Sequence, residues 1–312
     1  MELFRNTHFD LLGRKWWFIL PSLFLTVAGL ISLVVNGGPR YGIDFLGGAV
    51  MEVRWEGPPP IERVRVAVSS QLTGVSVVAA HDTTGSNEVL VSAEVPANAD
   101  LTALRQTIDH ALSAVSSSYS IRSFEAIGPQ IGADLRRQAL LAASGATGGM
   151  LAYLAWRFRV AYGVAAVIAM AHDAFITFGL LSLLHQEISL TVVAALLTLI
   201  GYSMNDTIVV FDRIRENRRA SRREPLAEII NQSINQTLSR TVLTSGLTLL
   251  TALSLLFFGG PVLHGFSLVL VIGIIVGTCS SIFIASPILL AWEQTADRVA
   301  ENRIALPHGG AR

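Results

Sequence analysis

The chain has 312 residues, of which 51% are hydrophobic and 15% are charged. A soluble domain has roughly 25% charged residues and a disordered chain is polar, so this composition excludes both a single soluble globule and a disordered protein. A formal net charge of zero argues against a dedicated nucleic-acid-binding protein. The single cysteine excludes an intrachain disulfide and a cysteine-based metal site. The single lysine, Lys15, is followed by Trp16 and not by serine or threonine, which excludes a P-loop. We predict no enzyme activity, no cofactor and no metal.

Six apolar stretches are long enough to cross a lipid bilayer, which requires about 20 residues of α-helix. They cover residues 16–35, 138–156, 160–184, 188–211, 241–258 and 266–292. The second is short and rich in glycine and alanine, which suits close helix packing. The first follows basic residues, as a signal-peptide core does. Its 20 uncharged residues exceed the roughly 7–15 of such a core, so we predict an uncleaved membrane helix.

Residues 36–137 are the one sizeable polar region between spans. Alternating and helical spacings predict strands and helices in the order strand, helix, strand, strand, helix, strand, at 49–55, 61–72, 75–80, 88–95, 101–115 and 118–127. A Gly85-Ser86-Asn87 turn separates the second and third strands. This order predicts a small ferredoxin-like α+β domain. The predicted fold class is a polytopic α-helical membrane protein with six transmembrane helices and this one domain.

Arginine and lysine are distributed unevenly over the loops, and cytoplasmic loops carry the excess of these residues in membrane proteins. With a cytoplasmic N-terminus, the basic segments on that side include 1–15, 212–240 and 293–312. The loops 185–187 and 259–265 carry none. We therefore predict that both termini are cytoplasmic and that the domain at 36–137 is extracytoplasmic. The arginines of 213–223 also fit RNA or lipid head groups, although their loop position favours a topological signal.

A glycine-rich segment, Gly42-Ile43-Asp44-Phe45-Leu46-Gly47-Gly48, follows the first span. Its glycines permit sharp turns and close approach to a neighbour, and Asp44 can cap such a turn. On physical grounds alone, a connector between the membrane and the domain explains this segment.

Asp206 and Arg240 are predicted to lie at one depth in the membrane. Asp206 is 18 residues after Ile188, and Arg240 is 18 residues before Phe258, about 27 Å of helix in each case. Charged side chains inside a bilayer are rarely placed without a function, and a carboxylate and a guanidinium at one level are natural partners. A structural ion pair is the alternative to a proton pathway. Gln232, Gln236 and Arg240 share one helix face, because they are four residues apart.

His172-Asp173 lies near the middle of the third span. A membrane histidine is often a packing residue, whereas a histidine beside an aspartate at the midplane is typical of a proton relay or a polar contact. Both interpretations stay open from the residues alone.

Together these segments resemble the SecF family of bacterial protein-export membrane proteins. The resemblance extends from about residue 5 to 292 and is most specific over 201–217. Beside His172-Asp173, Asp206 and Arg240, the residues that carry it are Gly42, Asp44, Phe45, Gly47, Gly48, Gly201, Tyr202, Ser203, Asn205, Thr207, Asp212, Arg213, Arg215, Glu216, Asn231, Ser233, Gln236 and Thr237.

The resemblance implies an accessory subunit in the bacterial cytoplasmic (inner) membrane. With a SecD-type partner, such a subunit associates with the SecYEG-type channel and its accessory proteins, and handles unfolded secretory polypeptide. It uses the proton-motive force to promote late steps of export. The resemblance also implies a proton pathway through Asp206 and Arg240, joined by an aspartate of a SecD helix, and an architecture similar to resistance–nodulation–division (RND) transporters. A proton-driven RND-type exporter of small solutes or lipids and a passive scaffold for the channel are the alternatives.

Overall fold

The computed structural model of the chain describes residues 7–81, 87–95, 100–116, 118–221 and 223–305. The first membrane helix, α1, spans Trp16–Val35, as its uncharged apolar run predicts. A short helix, α2 (Ile43–Leu46), then leads directly into the soluble domain. Residues 1–6 and 306–312, at the ends of the predicted cytoplasmic segments, lie outside the described part of the chain.

The soluble domain has the predicted order of strands and helices. It comprises β1 (Gly48–Trp55), α3 (Ile61–Ser69), β2 (Ser76–His81), β3 (Asn87–Ala93), α4 (Leu101–Ser113) and β4 (Tyr119–Ile127). The strands form an antiparallel sheet in the order β2-β3-β1-β4, which is the ferredoxin-like arrangement. Residues 85 and 86 of the predicted turn lie outside the described residues.

Strand alternation places the core of this domain on one face of the sheet. Met51 and Val53 of β1 are fully buried and pack with Val91 of β3 against α3 and α4. On the same domain, the Tyr119 hydroxyl donates to the Asp109 carboxylate at 2.6 Å. Burial, and then this hydrogen bond, raise the pKa of Tyr119 to about 12.

The remaining chain forms the other five membrane helices, so the structure confirms the predicted fold class. They are α5 (Pro129–Arg157), α6 (Val160–Leu183), α7 (Leu190–Ala220), α8 (Leu226–Phe258), and a last span in which α9 (Gly260–Ser280) continues through a π-helical turn (Ser281–Ala285) into α10 (Ser286–Ala305). Helices α7 and α8 extend through most of the predicted loop 212–240. The polar residues that follow an apolar stretch continue the helix here, because side-chain pairs three residues apart, such as Arg213–Glu216, stabilise it.

Glycines set two close contacts between membrane helices. A Cβ atom on Gly29 of α1 would lie 2.5 Å from the Cα atom of Gly179 on α6, so these backbones touch. On α9, a Cβ atom on Gly277 would lie 3.0 Å from the Cβ atom of Ser203 on α7. Small residues thus bring α1 onto α6 and α9 onto α7, which is the usual role of glycine between membrane helices.

The segment 42–48 ties the domain to the membrane helices, as a connector does. The Asp44 carboxylate accepts from the backbone N–H of Leu190 at 2.7 Å and so caps α7 rather than its own turn. Gly47 has φ +77°, and a Cβ atom there would lie 2.7 Å from the Cα atom of Pro129. Only glycine is readily accommodated at such a position. The start of α5, the start of α7 and the first strand therefore meet at this segment.

Candidate functional site

Asp173 lies at the junction of three membrane helices and is 2% exposed. Its Oδ2 atom accepts hydrogen bonds from the Ser203 hydroxyl of α7 at 2.5 Å and from the Ser280 hydroxyl of α9 at 2.7 Å. Its Oδ1 atom lies 3.1 Å from Nδ1 of the neighbouring His172. One carboxylate of α6 therefore joins three helices in the bundle, which is what a polar contact at this depth requires.

Helix packing places both serines at this carboxylate. Gly277 allows α9 to approach Ser203 closely, and Ser280 is the last residue of α9 before the π-helical turn. Such turns insert an extra residue into a helix and are frequent at functional sites. The sequence did not single out Ser280, because serines in an apolar span are equally typical of tight packing.

Asp206 is the second buried carboxylate, 3% exposed and one helical turn after Ser203 on α7. Its Oδ2 atom accepts a hydrogen bond from the Ser245 hydroxyl of α8 at 3.0 Å. Helix α7 thus carries two successive polar contacts, one with α6 and α9 and one with α8. Ser245 was missed in the sequence for the same reason as Ser280.

Arg240 is exposed and forms no ion pair within 4 Å with Asp206, although both side chains are among the described residues. It is close enough to interact electrostatically with that carboxylate. Ser245, which does contact Asp206, follows Arg240 by five residues, or about 140° around the helix and 7.5 Å along it. Equal depth counted along two helices therefore does not place the two side chains face to face.

Two residues next in sequence to Asp173 and Ser203 carry a buried polar atom without a hydrogen-bond partner among the described residues: His172 at Nε2 and Tyr202 at its hydroxyl. Buried polar groups usually have a hydrogen-bond partner.

The polar stripe of Gln232, Gln236 and Arg240 is exposed along α8, and Asn205 of α7 is exposed as well.

The remaining predicted motif residues cluster where α7 and α8 extend beyond their apolar stretches. Asp212 accepts two hydrogen bonds from Arg157 at 3.0 Å and is 3.2 Å from Arg215. Gln236 accepts from Arg213 at 2.6 Å and from Asn217 at 2.8 Å. These contacts join α5, α7 and α8 at one end of the bundle, which we call the arginine-rich end.

Asn231 and Asn235 hold the segment that precedes α1. The Asn235 amide oxygen accepts from the Phe9 backbone N–H at 2.9 Å, and that of Asn231 accepts from Leu11 at 2.9 Å. Both side-chain NH₂ groups donate to the Phe9 carbonyl. The same stretch of α8 also contains Ser233 and Thr237. Both are buried, and their hydroxyls donate hydrogen bonds to backbone carbonyls of their own helix. No sequence signal pointed to this contact, because its partners are more than 200 residues apart.

The family described as "Protein export membrane protein SecD/SecF, C-terminal" matches residues 107–295. A protein translocase subunit SecF from Koribacter versatilis is 42% identical, with 94% of each chain covered. The SecF subunit from Magnetococcus marinus is 41% identical, with 96% of each chain covered. One from Escherichia coli O157:H7 is 38% identical over 95% of this chain and 91% of that one.

The fold is similar to the crystal structure of SecDF, a translocon-associated membrane protein from Thermus thermophilus. The TM-score is 0.82 and the identity 37%, over 93% of this chain and 39% of that chain. A SecDF structure in a super-membrane-facing form gives a TM-score of 0.70 at 37% identity, over 96% of this chain and 41% of that one. The present chain therefore spans about two fifths of each solved SecDF chain.

Six apolar helices, buried carboxylates between them and one α+β domain define a multi-pass membrane protein of the transport class. The matches extend over nearly the whole chain at about 40% identity. The chain belongs to the SecF family of protein translocase subunits and is an accessory component of Sec protein export.

Proposed function

We propose that this chain, in complex with a SecD-type subunit, converts the proton-motive force into late steps of polypeptide export across the bacterial cytoplasmic membrane. The observation that carries the proposal is Asp206, a carboxylate that is 3% exposed inside the helix bundle and that accepts a hydrogen bond from the Ser245 hydroxyl of α8. A buried carboxylate in a membrane is expensive and marks ion or proton pathways.

A charge change at Asp206 acts on a two-state element. Without a proton, Asp206 attracts the guanidinium of Arg240, which is near it but exposed. With a proton, that attraction is lost and the carboxyl group keeps its hydrogen bond with Ser245. Protonation therefore changes the preferred arrangement of α7 against α8, which is how a local electrostatic event becomes a conformational switch.

Helix α7 also connects this site with the domain. Ser203, one turn away, is bonded to Asp173, and the first residue of α7 is capped by Asp44 in the segment that enters β1. A shift of α7 along its axis moves Asp44 and with it the domain. In this scheme His172 and Asp173 belong to the same pathway, and the domain holds or releases the emerging unfolded polypeptide at the outer side.

The SecD-type partner completes the site. Helices α1 and α8 leave their apolar side chains largely exposed, since 11% and 17% of the residues in their most apolar stretches are buried, compared with 50% in α6. The relatives of known structure are SecDF proteins more than twice as long as this chain, and midplane sites in such transporters form between two related halves. The SecYEG-type channel is the further partner. Both termini face the cytoplasm and the domain at 36–137 lies outside, in accord with the arginine distribution.

The proposal is tested by Asp206→Asn, which preserves size but removes the titratable group. We expect gradient-driven secretion into membrane vesicles to be lost while the amount of assembled complex is unchanged. The control is Glu228→Gln, which removes an exposed carboxylate from α8 and should leave secretion intact. Full secretion by the double variant Asp206→Asn, Arg240→Gln would refute the proton pathway and leave a structural role.

A further inference from the structure

A cavity of about 520 Å³ lies at the arginine-rich end of the bundle, where α5 ends and α7 continues. Its lining residues are Arg157, Asp212, Arg215, Glu216, Arg219 and Ala220. The proposed proton-driven cycle uses none of them. Its size is within the range of small-molecule sites, roughly 300–1,000 Å³.

The cavity lies at the level of lipid head groups. Asp212 follows the first residue of α7, Leu190, by 22 residues, or about 33 Å of helix. The hydrocarbon core of a bilayer is about 30 Å thick. Arg157 ends α5 and follows Trp156, which is 84% exposed. Exposed tryptophans are typical of the membrane–water interface, so two helices place the cavity at this boundary independently.

The charges in the cavity leave an excess of positive charge. The single carboxylate of Asp212 is shared by Arg157 and Arg215, and Glu216 is already paired with Arg213 at 2.7 Å. Arg219 is exposed and has no ion pair in the described part of the chain. A guanidinium carries five N–H donors, and Arg157 uses only Nη2 in its pair. Donors therefore remain for a further anion.

We propose that this cavity binds the phosphodiester head group of an anionic phospholipid. Guanidinium groups match phosphate oxygens in geometry. Basic pockets between membrane helices at the cytoplasmic surface of a bilayer bind such head groups. The exposed apolar surface of α5, including Tyr153 and Trp156, continues from the cavity into the bilayer and accommodates the acyl chains. A soluble anion or RNA gains nothing from that surface, which is why the observations favour a lipid. This inference goes beyond the proposed function and stands without it.

The test is lipid binding by the full chain, measured by native mass spectrometry and by thermal unfolding in detergent with added phosphatidylglycerol or phosphatidylcholine. We expect selective retention of phosphatidylglycerol and a higher melting temperature with it. Arg219→Gln should weaken this binding about fivefold, since one arginine at a membrane surface contributes about a factor of that size. Arg219→Lys, which keeps the charge, should retain most of it.

The matched control is Arg298→Gln, which removes an exposed arginine of α10 outside the cavity and should bind lipid as the unmodified chain does. Melting temperatures without lipid verify that each variant is folded. Equal phosphatidylglycerol binding by Arg219→Gln and Arg298→Gln would overturn the proposal. It would also be overturned if inorganic phosphate or an RNA oligonucleotide displaced the lipid, since the site would then recognise a soluble anion.

Discussion

The three-helix contact at Asp173 leads to a quantitative prediction. Asp173→Ala removes the acceptor of the Ser203 and Ser280 hydroxyls at once. Measured side-chain hydrogen bonds between membrane helices average about 0.6 kcal/mol and reach about 1.7 kcal/mol. Two such bonds contribute roughly 1–3.5 kcal/mol. We expect a loss of about 2 kcal/mol of unfolding free energy, because the group is almost fully buried but Ser280 keeps an alternative acceptor in the Gly277 carbonyl at 3.2 Å.

The assay is unfolding by denaturing detergent in mixed micelles, followed by circular dichroism. The coupling between Asp173→Ala and Ser280→Ala in a double-mutant cycle should be about 1 kcal/mol, since each change removes the same bond. Ser267→Ala is the matched control, because among the described residues the hydroxyl of this buried serine of α9 donates to the Leu263 carbonyl of its own helix and to no other helix. We expect that control to have an effect below about 0.5 kcal/mol.

Additivity of the two substitutions within about 0.3 kcal/mol would refute the reasoning, since residues that do not interact show additive effects. The Asp173 carboxylate would then not hold α9 to α6. A coupling equal to the predicted one, with secretion retained, would instead identify Asp173 as a positioning residue for α9 and remove it from the proton pathway.

Three further predictions concern other parts of the fold. Gly179→Ala should destabilise the chain by about 1–3 kcal/mol in the same unfolding assay, because its Cβ atom would meet the backbone of α1. Gly163→Ala, which has open space around it, is the control and should be neutral or stabilising. Equal effects of the two substitutions would contradict the close contact of α1 and α6. Asp44→Ala removes the acceptor of the Leu190 N–H but leaves the N-cap Ser189, so it should lower the unfolding free energy by about 1 kcal/mol, and an unchanged value would show that this hydrogen bond is not needed. Tyr119, hydrogen-bonded to Asp109, should show tyrosinate absorbance only near pH 12. Its stabilising contribution is fully present below pH 10 and is lost as pH rises through 12, so titration near pH 10 would contradict the burial of its hydroxyl.

The fold was largely predictable because its signals are local. Apolar length defines a membrane helix, and strand alternation such as that of Met51 and Val53 defines a sheet face. The site was predictable only in part. The sequence singled out Asp173 and Asp206 because carboxylates stand out in apolar spans. It did not identify their partners Ser245 and Ser280, since serine occurs in such spans for packing as well. Which face of α8 meets α7 depends on helix rotation and tilt, and residue counting along the chain contains neither.

The contact between Phe9 and Asn235 has a consequence for the order of biosynthesis. Its two residues are 226 positions apart, so the hydrogen bonds that hold Phe9 cannot form until the first half of α8 has been synthesised. At about 5–20 residues per second this takes roughly 10–45 seconds. During that time α1 lacks the hydrogen bonds that join residues 9–12 to α8. Synthesis of the first half of α8 is therefore the event that allows residues 9–12 to be held there, and a nascent protein interrupted before Asn231 cannot form these hydrogen bonds.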